Sequence, residues 1–120
     1  MSTRLLLSFS PPVAGLHLFG GFDTPERGPI RHRVADLLAL GCANVEIDAS
    51  KVTHIDGGCL WELARGKRAM EAAGHRVTVR SASSAFRRAA LAGGYDGLLP
   101  GAAPTDRERR ATRSKHLEET

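Results

Sequence analysis

Two short segments constrain the architecture more than anything else in the chain. In Val45-Glu46-Ile47-Asp48 and in Arg76-Val77-Thr78-Val79-Arg80, apolar and polar residues alternate without exception. Successive side chains of a strand point to opposite faces, so each segment reads as a strand with one covered face and one wet face. The charged residues on the second face rule out a sheet buried between two helix layers. Helices therefore belong on one side only.

The remaining pattern supplies those helices and two more strands. Leu5, Leu7 and Phe9 share one face of a segment from Arg4 to Phe9, which Pro11-Pro12 ends in a turn. Ala14, Leu16 and Leu18 form a second alternating set, with His17 and Phe19 opposite and Gly20-Gly21 closing it, so the two segments are predicted to form a hairpin. Ile30, Val34, Leu37 and Leu38 recur at helical spacing; with Pro29 in the first turn and Gly41 as C-terminal cap, they predict a helix from about Pro29 to Leu40, preceded by a turn at Thr24-Pro25. Leu60, Leu63, Ala64, Met70 and Ala73 predict a second helix ended by Gly74, and Ser83 or Ser84 caps a third through Leu91, stopped by Gly93-Gly94. A short last strand is expected over Gly97 to Leu99. The predicted order is β-β-α-β-α-β-α, an α/β domain with a mixed four- to five-stranded sheet and its helices on one face.

A chain of 120 residues has room for one domain, placed here at residues 1–100. Residues 101–120 are dense in charge, with Leu117 as their only large apolar side chain, and read as a disordered tail. The net charge of +4 is spread along the chain, and one Trp, one Tyr and four Phe give little surface for stacking bases, so nucleic-acid binding is not expected. Two cysteines, Cys42 and Cys59, make neither a disulfide framework nor a metal-ligand spacing, and the histidines show no ligand spacing either. No metal or cofactor is expected, and a reducing cytoplasm is the expected setting. The apolar run Leu5 to Leu7 is too short for a signal-peptide core or a membrane span, so a soluble protein is expected.

The chemistry concentrates between the third strand and the second helix, in Val52-Thr53-His54-Ile55-Asp56-Gly57-Gly58-Cys59-Leu60. Asp56 is placed to cap the helix with its carboxylate. Cys59 falls near the third helical position, where a helix N-terminus can lower a thiol pKa. Cys59 and Arg65 match the C-x5-R spacing of cysteine phosphatases, but the residues between them are helical and apolar, not a phosphate-wrapping loop. Gly66-Lys67 lacks the upstream glycine and the following hydroxyl of a P-loop. Trp61, Arg65 and Arg68 share a flank beside the core face, and two readings stay open: a stripe enriched in binding residues, or a Trp packed over a neighbouring element.

The segment resembles the central motif of the STAS domain family of bacterial anti-sigma factor antagonists, which typically reads Val-x-Phe-Ile-Asp-Ser-Ser-Gly-Leu. Gly20-Gly21-Phe22-Asp23 stands where the family often has Gly-Glu-Leu-Asp, and Leu98-Leu99-Pro100 resembles its usual ending. The departures are Gly21 for Glu, Lys51 for a turn Gly, His54 for Phe, and Gly57, Gly58 and Cys59 for Ser-Ser-Gly. The resemblance implies a non-enzymatic regulatory module that binds an anti-sigma factor of the serine-kinase type. Asp23, Asp56, Gly57, Gly58, Cys59, Trp61, Arg65 and Arg68 would form the partner-facing surface. A partner kinase phosphorylates the second serine in the family; Gly58 holds that position and has no hydroxyl, so docking would be constitutive or switched elsewhere, with Thr53 and Ser50 carrying the nearest hydroxyls. The two glycines either open the backbone to a partner or an anion, or mark a switch no longer under selection. Two alternatives accompany this reading: a STAS subunit of a larger signalling or transporter-associated assembly, and a thiol-based enzyme or redox sensor at Cys59.

Overall fold

A computed structural model describes residues 3–101. Four strands form one mixed sheet in sequence order: β1 (Arg4–Ser10), β2 (Val13–Phe22), β3 (Asn44–Ile55) and β4 (Arg76–Ala82). Three helices connect or follow them, α1 (Arg27–Leu40), α2 (Gly57–Ala72) and α3 (Ser84–Gly93). β1 and β2 make the predicted antiparallel hairpin, while β2, β3 and β4 run parallel. Ala14, Leu16 and Leu18 of β2, Val45 and Ile47 of β3, and Val77 and Val79 of β4 join the buried faces of the three helices in one core. Each fully buried Leu, Ile or Phe there contributes roughly 1.5–3 kcal/mol relative to exposure.

The polar residues of the alternating segments face the other way, as their period requires. Arg80 lies 3.6 Å from Glu46 and His17 lies 3.9 Å from Asp48 on that open face. The Ser50 hydroxyl donates to Asp48 Oδ1 at 2.6 Å, which engages one of the two hydroxyls suggested as a displaced switch. Thr53 is exposed.

Four details differ from the expectations. The segment expected as a last strand is a 3-10 turn, Asp96–Leu98, because its backbone bonds are local, Leu98 N to Tyr95 O and Leu99 N to Asp96 O, while Leu98 itself plugs into the core. α1 begins at Arg27, since a 3-10 turn at Thr24–Glu26 runs directly into it; Pro29 still sits in the first turn, where its missing N–H costs nothing. Ala73 is the exposed C-cap of α2 and not a core residue. Phe9 lies next to the hairpin turn on an edge strand and is exposed. The segment 101–120, apart from Gly101, lies outside the described residues.

Two register shifts in the β2–β3 pairing position the functional region. Between His17 and Phe19 of β2, β3 advances from Asp48 to Lys51, and between Gly20 and Gly21 it advances from Val52 to His54. Each shift inserts one extra residue in β3, as a β-bulge does, so Ala49, Val52 and Ile55 all reach the core although strict alternation would not allow it. The strands end together, Asp56 N donating to Phe22 O at 2.9 Å, and Asp23 and Asp56 leave the sheet side by side.

Candidate functional site

In an open sheet of this kind the carboxyl ends of parallel strands form the natural crevice, and here β2 and β3 end in an aspartate each. Asp56 is the N-cap of α2: its Oδ1 accepts from the Cys59 backbone N–H at 2.7 Å and its Oδ2 accepts from the Thr24 hydroxyl at 3.0 Å. Burial works against the charge, but the Cys59 N–H, the Thr24 hydroxyl and the nearby Arg27 guanidinium outweigh it and hold the carboxyl below its ordinary 3.8. The cap is as predicted; its clamp from Thr24 was not. Asp23 and Glu26 sit at the spacing of a capping box, and the Asp23 N–H donates to Glu26 Oε2 at 2.9 Å, a signal that was present in the sequence.

Glycine at 21 and 58 each makes room for a large side chain. A Cβ at position 21 would stand 2.6 Å from His54 Nδ1, and His54 Nε2 lies 2.9 Å from Asp23 Oδ1. A Cβ at position 58 would stand 2.9 Å from both Cδ and Nε of Arg27. The backbone at Gly58 is therefore not bare, as the sequence suggested it could be, because Arg27 lies across it. Of the two glycines that open α2, Gly57 is the open one, with nothing near its Cβ direction.

Cys59 reverses its expectation. It is the third residue of α2, but its side chain is fully buried and donates from Sγ to the Asp23 carbonyl at 3.1 Å. Burial and then the Asp56 carboxylate push the thiol up to about 12, against the helix-end effect. A thiol in this state does not supply a thiolate nucleophile near neutral pH. His54 is engaged by Asp23 and not by the thiol, so no nucleophile and base are paired here.

Along α2, Trp61 is exposed and the Arg65 guanidinium lies 5.4 Å from its ring centroid. Arg68 is exposed one turn further on. The structure thus brings Asp23, Asp56, Gly57, Gly58 and Cys59 into one cluster and sets Trp61, Arg65 and Arg68 along the adjoining helix. Two ion pairs escaped the sequence reading. Glu62 has a side chain only 2% exposed and meets Arg31 Nη2 of α1 at 2.9 Å, while Lys67 meets Glu71 at 3.2 Å. The Arg31 hydrogen bond holds Glu62 below its ordinary 4.5. Among the described residues no cluster of three or more His, Cys, Asp or Glu is arranged to hold a metal ion, and no helix is long and apolar enough to cross a membrane.

These depressed carboxylates set an acid dependence. A carboxyl whose folded pKa lies below its unfolded value stabilises the fold above the unfolded value and loses that contribution as pH falls through the folded one. Asp56→Asn keeps a capping oxygen but not the charge. The wild type is expected to be the more stable near neutral pH, with the gap closing as pH falls below about 3.8. Urea midpoints across an acid series check this, and a gap that does not change with pH counts against it.

Comparison with known proteins places this geometry. A crystal structure of an anti-sigma factor antagonist from Mycobacterium paratuberculosis superposes with a TM-score of 0.71 at 20% identity, covering 93% of this chain and 95% of that one. The unphosphorylated form of the anti-sigma factor antagonist SpoIIAA gives 0.69 at 15% identity, covering 92% and 97%. The phosphorylated form of SpoIIAA, described as a Bacillus cell fate determinant, gives 0.65 at 16% identity, covering 90% and 99%. At these identities the likeness is one of fold. No match to the sequence is found among curated proteins. Residues 5–100 match the family described as "Mlab, STAS domain", and the chain belongs to the STAS domain family.

Proposed function

We propose that this chain is a non-enzymatic regulatory module of the cytoplasm that docks on an anti-sigma factor of the serine-kinase type, with no phosphorylation switch at Gly58. Its docking surface runs from Asp23, Asp56, Gly57 and Gly58 along the flank of Trp61, Arg65 and Arg68; Cys59, expected on that surface, is fully buried beneath it and supports the turn from inside. The observation that carries the reading is the exposed Trp61 stacked against Arg65, directly after the Asp56-capped turn. The core face of α2 is filled by Leu60, Leu63 and Met70, so the fold does not use this indole as filling. Trp and Arg side by side on a rigid helix are the residue types that dominate binding hot spots. The buried, protonated Cys59 supports a binding role over thiol chemistry.

Pull-down from the chain's own cytoplasm tests this, with Trp61→Ala as the paired variant. The wild type is expected to capture a kinase-type anti-sigma factor, and Trp61→Ala to bind it about thirtyfold more weakly. Its unfolding free energy should change by no more than about 0.5 kcal/mol, as for an exposed position. Capture of no such partner, or loss of binding together with loss of the fold, defeats the reading. Mass mapping after kinase treatment should find no phosphate on Thr53; phosphate there would show the switch displaced.

A further inference from the structure

The α1 and α2 helices enclose an open groove of about 200 Å³ beside the Trp61 flank. We infer that this groove receives an amphipathic helix of a protein partner, one that carries acidic side chains beside its apolar ridge. The inference deepens the docking reading above and rests on it for the existence of a protein partner.

The floor is apolar and built from small residues: Ala35 and Leu38 from α1, Gly66 and Ala69 from α2. Gly66 presses against Val34, which brings the helices close and seals the bottom of the groove. The rim is charged in one sense. Arg31, with its side chain 59% exposed, and Arg65, also exposed, are the charged side chains that line the groove and reach water. The lining carboxylate, Glu62, is buried beneath Arg31 and the two offset each other, so the net positive charge of the lining is that of Arg65. Apolar floor and arginine rim together call for an apolar ridge flanked by carboxylates.

The walls decide the occupant's conformation. Both are helices whose mid-section backbone groups are bonded within themselves, so they offer no N–H or C=O to an extended peptide, whose own backbone would go unpaired. A helix arrives with its backbone satisfied and packs its ridge between two others. Among the described residues, the helices of a second copy offer this rim no acid outside an ion pair. Among the described residues α3 carries no acid, the one acid of α1, Asp36, pairs with Arg33 at 3.2 Å, and Glu62 and Glu71 of α2 are paired with Arg31 and Lys67.

The test uses the full chain, isotopically labelled, and a short stapled helix with Leu on one stripe and Glu beside it. Saturable shifts of the Ala35, Gly66 and Ala69 amide signals are expected. A Lys-for-Glu version of the peptide should bind at least about tenfold more weakly, and Ala69→Glu, which places a carboxylate in the lining of the groove, should cause a similar loss. Shifts mapping elsewhere, equal affinity for the two peptides, or a groove closed by self-association or by the chain's own residues 102–120 would overturn the inference. If the peptide fails while the kinase-type partner is still captured through Trp61, the groove falls and the docking reading stands. The converse result keeps the groove and removes that reading.

Discussion

Gly66→Leu is expected to destabilise the domain by about 3 kcal/mol, the upper part of the range for overpacking a closed contact. A Cβ at this position already meets Val34 Cγ2 at 2.6 Å, Cγ1 at 3.0 Å and Cβ at 3.4 Å. Valine has two heavy atoms on Cβ and one strongly preferred rotamer in a helix, so it cannot swing aside. Nor can α1 retreat easily, because Ile30 and Leu37 anchor it in the core on either side of Val34. The helix propensity gained on replacing Gly amounts to about 1 kcal/mol at most and does not offset the clash. Gly66→Ala sets that gain against a smaller collision and should cost about 1 kcal/mol net. Urea unfolding of Gly66→Ala, Val34→Ala and the double variant completes the argument: if the contact is the cause, the double variant recovers stability that the two single changes do not predict by addition. Unchanged midpoints for Gly66→Leu would mean that α1 and α2 do not touch here.

The strands that could be read were those where one period governs the whole segment. Val45 and Ile47, and Val77 and Val79, alternate against charged neighbours, and both pairs are buried as that alternation demands. The second half of β3 obeys a different rule: two bulges shift its phase, one between Asp48 and Lys51 and one between Val52 and His54, and no residue type there announces them. The cap at Asp56 was legible because it depends on residues three apart. The partners of the two unusual glycines were not, since Gly21 is explained by His54 and Gly58 by Arg27, each brought close only by the parallel pairing of β2 and β3. Glu62 is the same case, a polar residue on the core flank of α2 whose burial depends on Arg31 of another helix. For Cys59 the helix-end rule is outweighed, because burial of the thiol dominates its environment.

On the proposed docking role, Gly58→Asp combined with Arg27→Ala is expected to weaken docking of the proposed kinase-type partner about a hundredfold while the domain stays folded. The carboxylate would sit in the first turn of α2, where the helix dipole favours negative charge, so the fold has no reason to suffer. Gly58→Asp alone should weaken docking by no more than about tenfold, because Arg27 lies over this position and would pair with the new charge. Arg27→Ala alone should leave affinity within about threefold of wild type, as for a change that removes no hot-spot contact. Titration of the purified partner against the three variants separates two accounts of the missing switch. If the single and double variants are equally weakened, the absent hydroxyl is the whole difference between this chain and a phosphorylatable one. If Arg27 protects the single variant, the loss is double: Gly58 removes the phosphate acceptor, and Arg27 supplies a charge that would neutralise a phosphate placed there. Restoring serine alone would then restore a modification site without restoring its effect. Wild-type affinity in both variants would show that the start of α2 does not face the partner at all.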